Sequence, residues 1–224
     1  LVDEQFVNGW DDPRMPTISG MRRRGYPPQA LINFVTTAGI SKRENVIDVS
    51  LLEYCVREEL NKTSSRVMAV VNPVKLVITN YPEDKIEDLT AINNPEDESQ
   101  GMRTLPFSKE LYIEREDFKE EANRKYFRLT LGKEVRLKNA YIIKGESVIK
   151  DKDGNISEIH CTYDPATKGG WTPERKVKGT LHWVSESHGV EVEVRNYTDI
   201  LIEDESGDKD FMNCINPASE RIVK

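Results

Sequence analysis

The hydrophobic period of this chain changes once, at the polar break Asn61-Lys62-Thr63-Ser64-Ser65, and that change limits the folds open to it. Before the break the apolar residues recur at helical spacing. Thr17 is placed to cap a short helix over 18–24 that Gly25 stops. Pro27-Pro28 open a second helix, with Leu31, Phe34, Val35 and Ala38 on one face and Gly39 as its stop. Ser50-Leu51-Leu52-Glu53 reads as a capping box starting a third, whose buried stripe is Leu52, Cys55, Val56 and Leu60. After Arg66 only strand-like runs follow: VMAVVNPVKLVITNY as two strands joined at Pro73, then ELYIERE, RLTL, EVRLKNAYIIK, VKGTLHWVS and VEVEVRNYTDILI. SVIKDKDGNISEIHCTYD reads as a hairpin turning at Asp153-Gly154-Asn155. Residues 82–100 and 164–175 read as polar loops, with helical turns expected at 84–88 and 117–124. A helical unit over 1–65 followed by an antiparallel barrel or sandwich over 66–224 makes the class α+β.

Charge then singles out one segment. The chain carries a net charge of −7, yet NRKYFRLTLGKEVRLKNAYIIKG, from Asn123 to Gly145, holds seven Lys or Arg against the single acid Glu134. Val135, Leu137, Asn139, Tyr141 and Ile143 alternate with Glu134, Arg136, Lys138, Ala140, Ile142 and Lys144, which predicts one continuous strand with 129–131 as its partner. Arg136 and Lys138 would then leave the same face roughly 7 Å apart, close to the phosphate repeat of an extended single strand. A solvated edge strand protected by its charges is the competing reading.

The remaining composition narrows the classes. No run of 18 apolar residues is present to span a membrane, and LVDEQFVNGWDDPRM lacks the basic and apolar regions of a signal peptide. Cys55, Cys161 and Cys214 are odd in number and far apart, which fits reduced thiols in a cytoplasmic protein. His160, His182 and His188 have no metal-ligand spacing, so no metal is expected. An acidic chain does not bind nucleic acid through a general positive field, so any such binding must use local basic faces.

Several runs carry a more specific signal. GWDDPRMPTISGMRRRGY, AVVNPVKLVI, FRLTLGKEVRLKNAYIIK, KVKGTLHWV and INPAS together resemble, in order and spacing, the C-terminal part of the glutaminyl-tRNA synthetase family, class I aminoacyl-tRNA synthetases. GWDDPR alone is shared with glutamyl-tRNA synthetases of the archaeal and eukaryotic type, whereas LTLGKEVRLKNAYIIK leans to the glutaminyl side.

The resemblance implies a helical stem-contact region over 1–65, following a catalytic domain not contained here, and anticodon-binding β-barrels over 66–224: the proximal barrel and part of the distal one. It implies a parent enzyme that uses ATP to attach glutamine to its tRNA. No catalytic residue and no cofactor falls in this chain, which alone should be inactive. The implied partner is tRNA, met at the anticodon loop and inner corner by a monomeric cytoplasmic protein. Residue by residue, Arg66 matches the family arginine at the middle anticodon base, Arg136 the one at the first with Lys138 beside it, and Arg128 one near the third. Lys133 belongs to the same basic run. Ser41, Arg43 and Asp48 fall in the loop that in the family lies against the inner corner of the tRNA. Phe127 stands where a Lys often precedes the arginine, and is read as core, with stacking on a splayed base as the other option. Arg22, Arg23 and Arg24 would fan out over roughly 200° of a helix, so at least one is read as structural, closing on Asp11, Asp12 or the last carbonyls. Trp10, Trp171 and Trp183 are read as core or loop anchors. The glutamyl enzyme and a free-standing RNA-binding module remain as alternatives.

Overall fold

The computed structural model describes residues 1–123, 125–170, 175–202 and 211–223. Two units are distinguishable, one of Leu1–Ser64 with Val192–Lys224 and one of Ser65–Glu191. The α+β class holds, with three α-helices in the first unit and most strands in the second among the described residues.

In the first unit, α1 (Ile18–Arg23), α2 (Pro28–Ala38) and α3 (Val49–Thr63) are joined by a two-stranded antiparallel sheet of β10 (Val194–Tyr197) and β11 (Glu220–Val223). Thr17 caps α1 as expected, its hydroxyl accepting the Gly20 amide at 2.9 Å. Two expectations fail here. Asp48, not Ser50, caps α3, accepting the Ser50 amide at 2.8 Å. On α2 the fully buried side chain is Ala30, while Val35 is exposed. Trp10, read as a core or loop anchor, is exposed, and Trp171 lies outside the described residues.

The node of this unit is Asp12. Only 2% exposed, its carboxylate accepts the Arg14 guanidinium twice, at 2.9 and 2.8 Å, and the amides of Asn8 and Arg14 at 3.0 Å each. Those contacts, the Arg14 side chain first, hold its pKa far below the usual carboxylate range although burial opposes them. Arg14 also donates to the buried Ser219 hydroxyl at 3.1 Å. The GWDDPR and INPAS runs therefore meet in space. Among the consecutive arginines, Arg23 pairs with Asp11 at 3.0 Å and Arg24 lies over the rings of Tyr26 and Tyr197.

Among the described residues the second unit is built on nine strands: β1 (Pro73–Ile78), β2 (Glu87–Ile92), β3 (Met102–Phe107), β4 (Glu110–Glu114), β5 (Glu134–Leu137), β6 (Ile142–Lys150), β7 (Ile156–Asp164), β8 (Thr180–Leu181) and β9 (Val184–Ser185). Seven form one sheet in the order β8-β5-β6-β7-β1-β4-β9, and β2 and β3 form a separate hairpin. The pairing is mostly antiparallel, with two parallel contacts, β1 with β7 and β5 with β8. The sheet's edge strands are consecutive in the chain and separated only by His182 and Trp183. Three virtual bonds reach at most about 11 Å, so the two edges must curl toward one another in a barrel-like wall. Trp183 fills the join at 2% exposure and donates its indole N–H to the Lys138 carbonyl at 2.8 Å.

Alternation fills the interior with Val74, Leu76 and Ile78 of β1, Leu111 and Ile113 of β4, Val135 and Leu137 of β5, and Ile159 and Cys161 of β7. Each such aliphatic side chain contributes roughly 1.5–3 kcal/mol when fully buried. Phe107 lies against Tyr81, Tyr141 and Trp183 with ring centroids 5.2–5.3 Å apart. Burial pushes the Cys161 thiol up to about 12, so it is a packing residue rather than a nucleophile.

The β6–β7 hairpin turns through 151–155 as read, the Asp151 carboxylate accepting the amides of Asp153 and Asn155 at 2.9 Å. Elsewhere local pattern loses to long-range contacts. The run 67–78 gives one strand, not two, because the Glu114 carboxylate takes the amides of Val71 and Asn72 at 2.6 and 3.0 Å. Residues 82–100 are not all loop: Leu89 and Ala91 turn inward on β2, and no helix forms at 84–88. Nor does one form at 117–123, where Leu129 donates its amide to the Asp117 carbonyl and accepts the Lys119 amide through its own carbonyl. VKGTLHWVS divides into β8 and β9, and VEVEVRNYTDILI keeps only β10.

Candidate nucleic-acid interface

The basic run is a hairpin and not a single strand. Asn139 adopts φ +60°, a left-handed conformation that asparagine tolerates, and the chain reverses between β5 and β6. Arg136 pairs across with Ile142, and Lys138 stands just beyond the end of β5. Residues 129–131 form no partner strand either; Leu129 and Leu131 make isolated parallel bridges to Phe118 and Gly145.

What brings these basic residues together is β8, by side chain for Arg128 and by backbone for Arg136 and Lys138. Arg136 is in register with Thr180. Arg128 donates to the Thr180 carbonyl at 3.1 Å, and the Lys138 amide donates to the Leu181 carbonyl at 2.9 Å. Two residues of one short strand thus organise three cations from the basic run. The segments meet closely: a Cβ at Gly179 would collide with the carbonyl oxygen of Phe127.

Each cation has its own setting. The half-exposed Arg128 guanidinium pairs with Asp117 at 3.0 Å. Burial pushes the Asp117 carboxyl above its ordinary range, and the Arg128 charge offsets this only in part. The Arg136 stem lies against Gly170, and one terminal nitrogen donates to the Val177 carbonyl at 3.3 Å. Its Nε is buried without a hydrogen-bond partner among the described residues. Lys133 is exposed at the start of β5. Arg66 follows the boundary between the units by two residues; its amide donates to the Asn93 carbonyl at 2.6 Å, and its guanidinium is 3.9 Å from Glu96. Ser41, Arg43 and Asp48 belong to the other unit, in the exposed α2–α3 connection, where the Ser41 hydroxyl accepts the Arg43 amide at 3.0 Å.

Phe127 is 51% exposed, which corrects its reading as core. The Lys178 ammonium lies 4.9 Å from its ring centroid. His182, between β8 and β9, has its pKa lowered by burial and then by the neighbouring Lys138 charge. Lys178, His182 and Gly170 are the neighbours that sequence reasoning did not single out for this site; Phe127 it did, with stacking on a splayed base as the second option. The KVKG run was the only available signal for Lys178, and it has no partner within reach along the chain.

Three stretches of the chain match models of known families. Residues 64–164 and 180–224 each match a family model described as tRNA synthetases class I (E and Q), anti-codon binding domain, and residues 1–62 match the catalytic-domain model of the same group. The chain belongs to the class I tRNA synthetases of the E and Q type. Within that family it is 52% identical, over its whole length, to the glutamine–tRNA ligase of Clostridium kluyveri. It is 53% identical over its whole length to that of Clostridium perfringens, and 54% identical over 98% of its length to that of Rhodopirellula baltica. It covers 41%, 41% and 37% of those relatives, so it spans about two fifths of their length. The three cations and the strand that gathers them lie on opposite sides of a boundary between two family models. Arg128, Arg136 and Lys138 fall within 64–164, and β8 begins the segment matched from residue 180.

Proposed function

We propose that this chain is the anticodon-recognising part of a glutamine–tRNA ligase, whose whole activity is the ATP-dependent attachment of glutamine to its tRNA. The observation that carries the reading is the convergence of Arg128, Arg136 and Lys138 on β8, inside the region matched by the anticodon-binding models. Identity to glutamine–tRNA ligases along the whole chain supports glutamine over glutamate as the amino acid served.

In this proposal Arg66, Arg128 and Arg136 meet unpaired anticodon bases and Lys133 and Lys138 support them. A guanidinium suits that task because its planar fork can hold a base edge bidentately or stack upon it. Arg128 must exchange its Asp117 contact for the RNA, and Arg136 starts from a stem already held by Gly170 and Val177. Residues 1–65 act as the stem-contact region, with Ser41, Arg43 and Asp48 toward the inner corner of the tRNA, and 66–224 as the anticodon barrels. The adenylate-forming chemistry, with its ATP, belongs to no side chain of this part. The recognition energy serves to commit the acceptor end to the active site. The protein acts as a cytoplasmic monomer.

The test compares Arg136→Ala and Arg66→Ala with Lys150→Ala and Lys152→Ala, using fluorescence anisotropy with matched tRNA at low salt. Loss of a bidentate base contact is expected to cost roughly 1–3 kcal/mol. Lys150 pairs with Glu120 at 2.8 Å, and Lys152 sits between Asp151 and Asp153, so their variants should bind nearly as the unmodified chain does. Equal losses at all four positions would reject these arginines as readers.

A further inference from the structure

Beside the β8 cations lies an open groove of about 470 Å³ lined by Gly132, Lys133, Glu134, Lys144, Lys176, Val177 and Lys178. Its four lysines come from three segments. Lys133 precedes β5, Lys144 stands on β6 in register with Glu134, and Lys176 and Lys178 flank the buried Val177. All four are exposed. The one acid of the lining, Glu134, is paired at 2.7 Å with Arg175, which is not among the lining residues. Lys144 shares its charge with Glu146 at 3.1 Å, while Lys133, Lys176 and Lys178 pair with no carboxylate among the described residues. A groove with three lysines unpaired with carboxylates among the described residues, on a chain of net charge −7, is a local positive field that favours an anion.

We infer that this groove seats the ribose–phosphate backbone of the RNA strand that runs up to the anticodon bases, so that Lys144, Lys176 and Lys178 are phosphate contacts. The inference rests on the anticodon reading and adds a surface to it. Lysines are point charges without the planar fork that reads a base edge, so a wall of them suits sequence-independent phosphate contact. The groove is open, which suits a passing strand. If Lys176 and Lys178 are extended, their spacing of roughly 7 Å is near the phosphate repeat of such a strand. Where Lys178 reaches Phe127, an exposed ring offers a stacking face for the base that follows.

The test is the double variant Lys176→Gln/Lys178→Gln against Lys150→Gln/Lys152→Gln, which removes the same charge elsewhere. Binding of matched and anticodon-swapped tRNA is followed by anisotropy over roughly 50–200 mM salt. For the groove variant the slope of log affinity against log salt should become shallower by about 1.4, from about 0.7 for each lost contact to a single strand. Matched and swapped RNAs should weaken by the same factor, and the control pair should change neither quantity. An unchanged slope, in a chain that still prefers its matched anticodon, would overturn the groove and leave the anticodon reading standing. A groove variant that lost the preference itself would show these lysines reading bases, which also overturns it. An unmodified chain without preference, but with the slope change in the groove variant, would overturn the anticodon reading and keep the groove as an RNA-backbone site.

Discussion

Gly170→Ala should damage anticodon reading without touching a charge. Gly170 has φ +76°, and a Cβ built there would lie 2.6 Å from Cγ and 2.7 Å from Cδ of Arg136. Carbon atoms rest at about 3.5–4.0 Å, so the Arg136 stem would have to retreat by about 1 Å. It cannot do so freely, because its guanidinium is tied to the Val177 carbonyl at 3.3 Å and its Nε is buried. The left-handed backbone adds a stability cost of about 1–2 kcal/mol for alanine. A bidentate contact supplies roughly 1–3 kcal/mol of discrimination, and a displaced fork would lose most of it, so preference for the matched first anticodon base should fall about tenfold. Urea denaturation reads the stability part, and anisotropy with matched and swapped tRNA reads the other. Arg136→Ala with Gly170→Ala should bind no worse than Arg136→Ala alone, since the clashing stem is then gone. Full discrimination in Gly170→Ala, or additive losses in the double variant, would refute the account of how Arg136 is held.

Asp12→Ala should destabilise the first unit by about 3–5 kcal/mol in urea denaturation, because it strands the Arg14 guanidinium at 11% exposure; a loss below about 1 kcal/mol would mean that Arg14 finds other partners. Glu87, bonded to Lys168 at 2.5 Å and to the Tyr141 hydroxyl at 2.8 Å, is held down at about 2 from 4.5, the Lys168 contact being the largest cause. Its contribution is therefore present above pH 4.5 and lost as pH falls toward 2, amounting to about 2 kcal/mol once the exposure of its lysine partners is discounted; Glu87→Gln should flatten that acid limb, and an unaltered limb would contradict it. Phe127→Ala should weaken tRNA binding by roughly 1–3 kcal/mol if a base stacks on the ring, whereas Phe127→Tyr should bind as the unmodified chain does; equal binding by all three would return Phe127 to a surface residue with no role.

The change of period at Ser64-Ser65 was legible because it is local, as were the Thr17 cap and the Asp153-Gly154-Asn155 turn. The reversal at Asn139 was not. The alternation of Val135, Leu137, Tyr141 and Ile143 hides a turn whose mark is Asn139, a residue able to adopt positive φ. Contacts between distant segments were likewise invisible: Glu114 takes amides more than forty positions back, and Arg14 reaches Ser219. The same division holds at the interface. Arg128, Arg136 and Lys138 stood out as like charges crowded into one stretch of an acidic chain. Gly170 and Lys178 did not, and Phe127 was read as core, because their setting is made by distant segments of the chain meeting near β8.

The most direct test of the central claim is the ratio of two affinities measured on the unmodified chain. Glutamine-accepting tRNA and the same tRNA with one anticodon base exchanged share nearly all their phosphates, so the electrostatic share of binding cancels in the ratio. If Arg66, Arg128 and Arg136 read bases, each mismatch should cost roughly 1–3 kcal/mol, and the matched tRNA should bind about ten- to a hundredfold more tightly at the same salt. A ratio near one at every anticodon position would contradict the account and leave the basic hairpin as a charged edge.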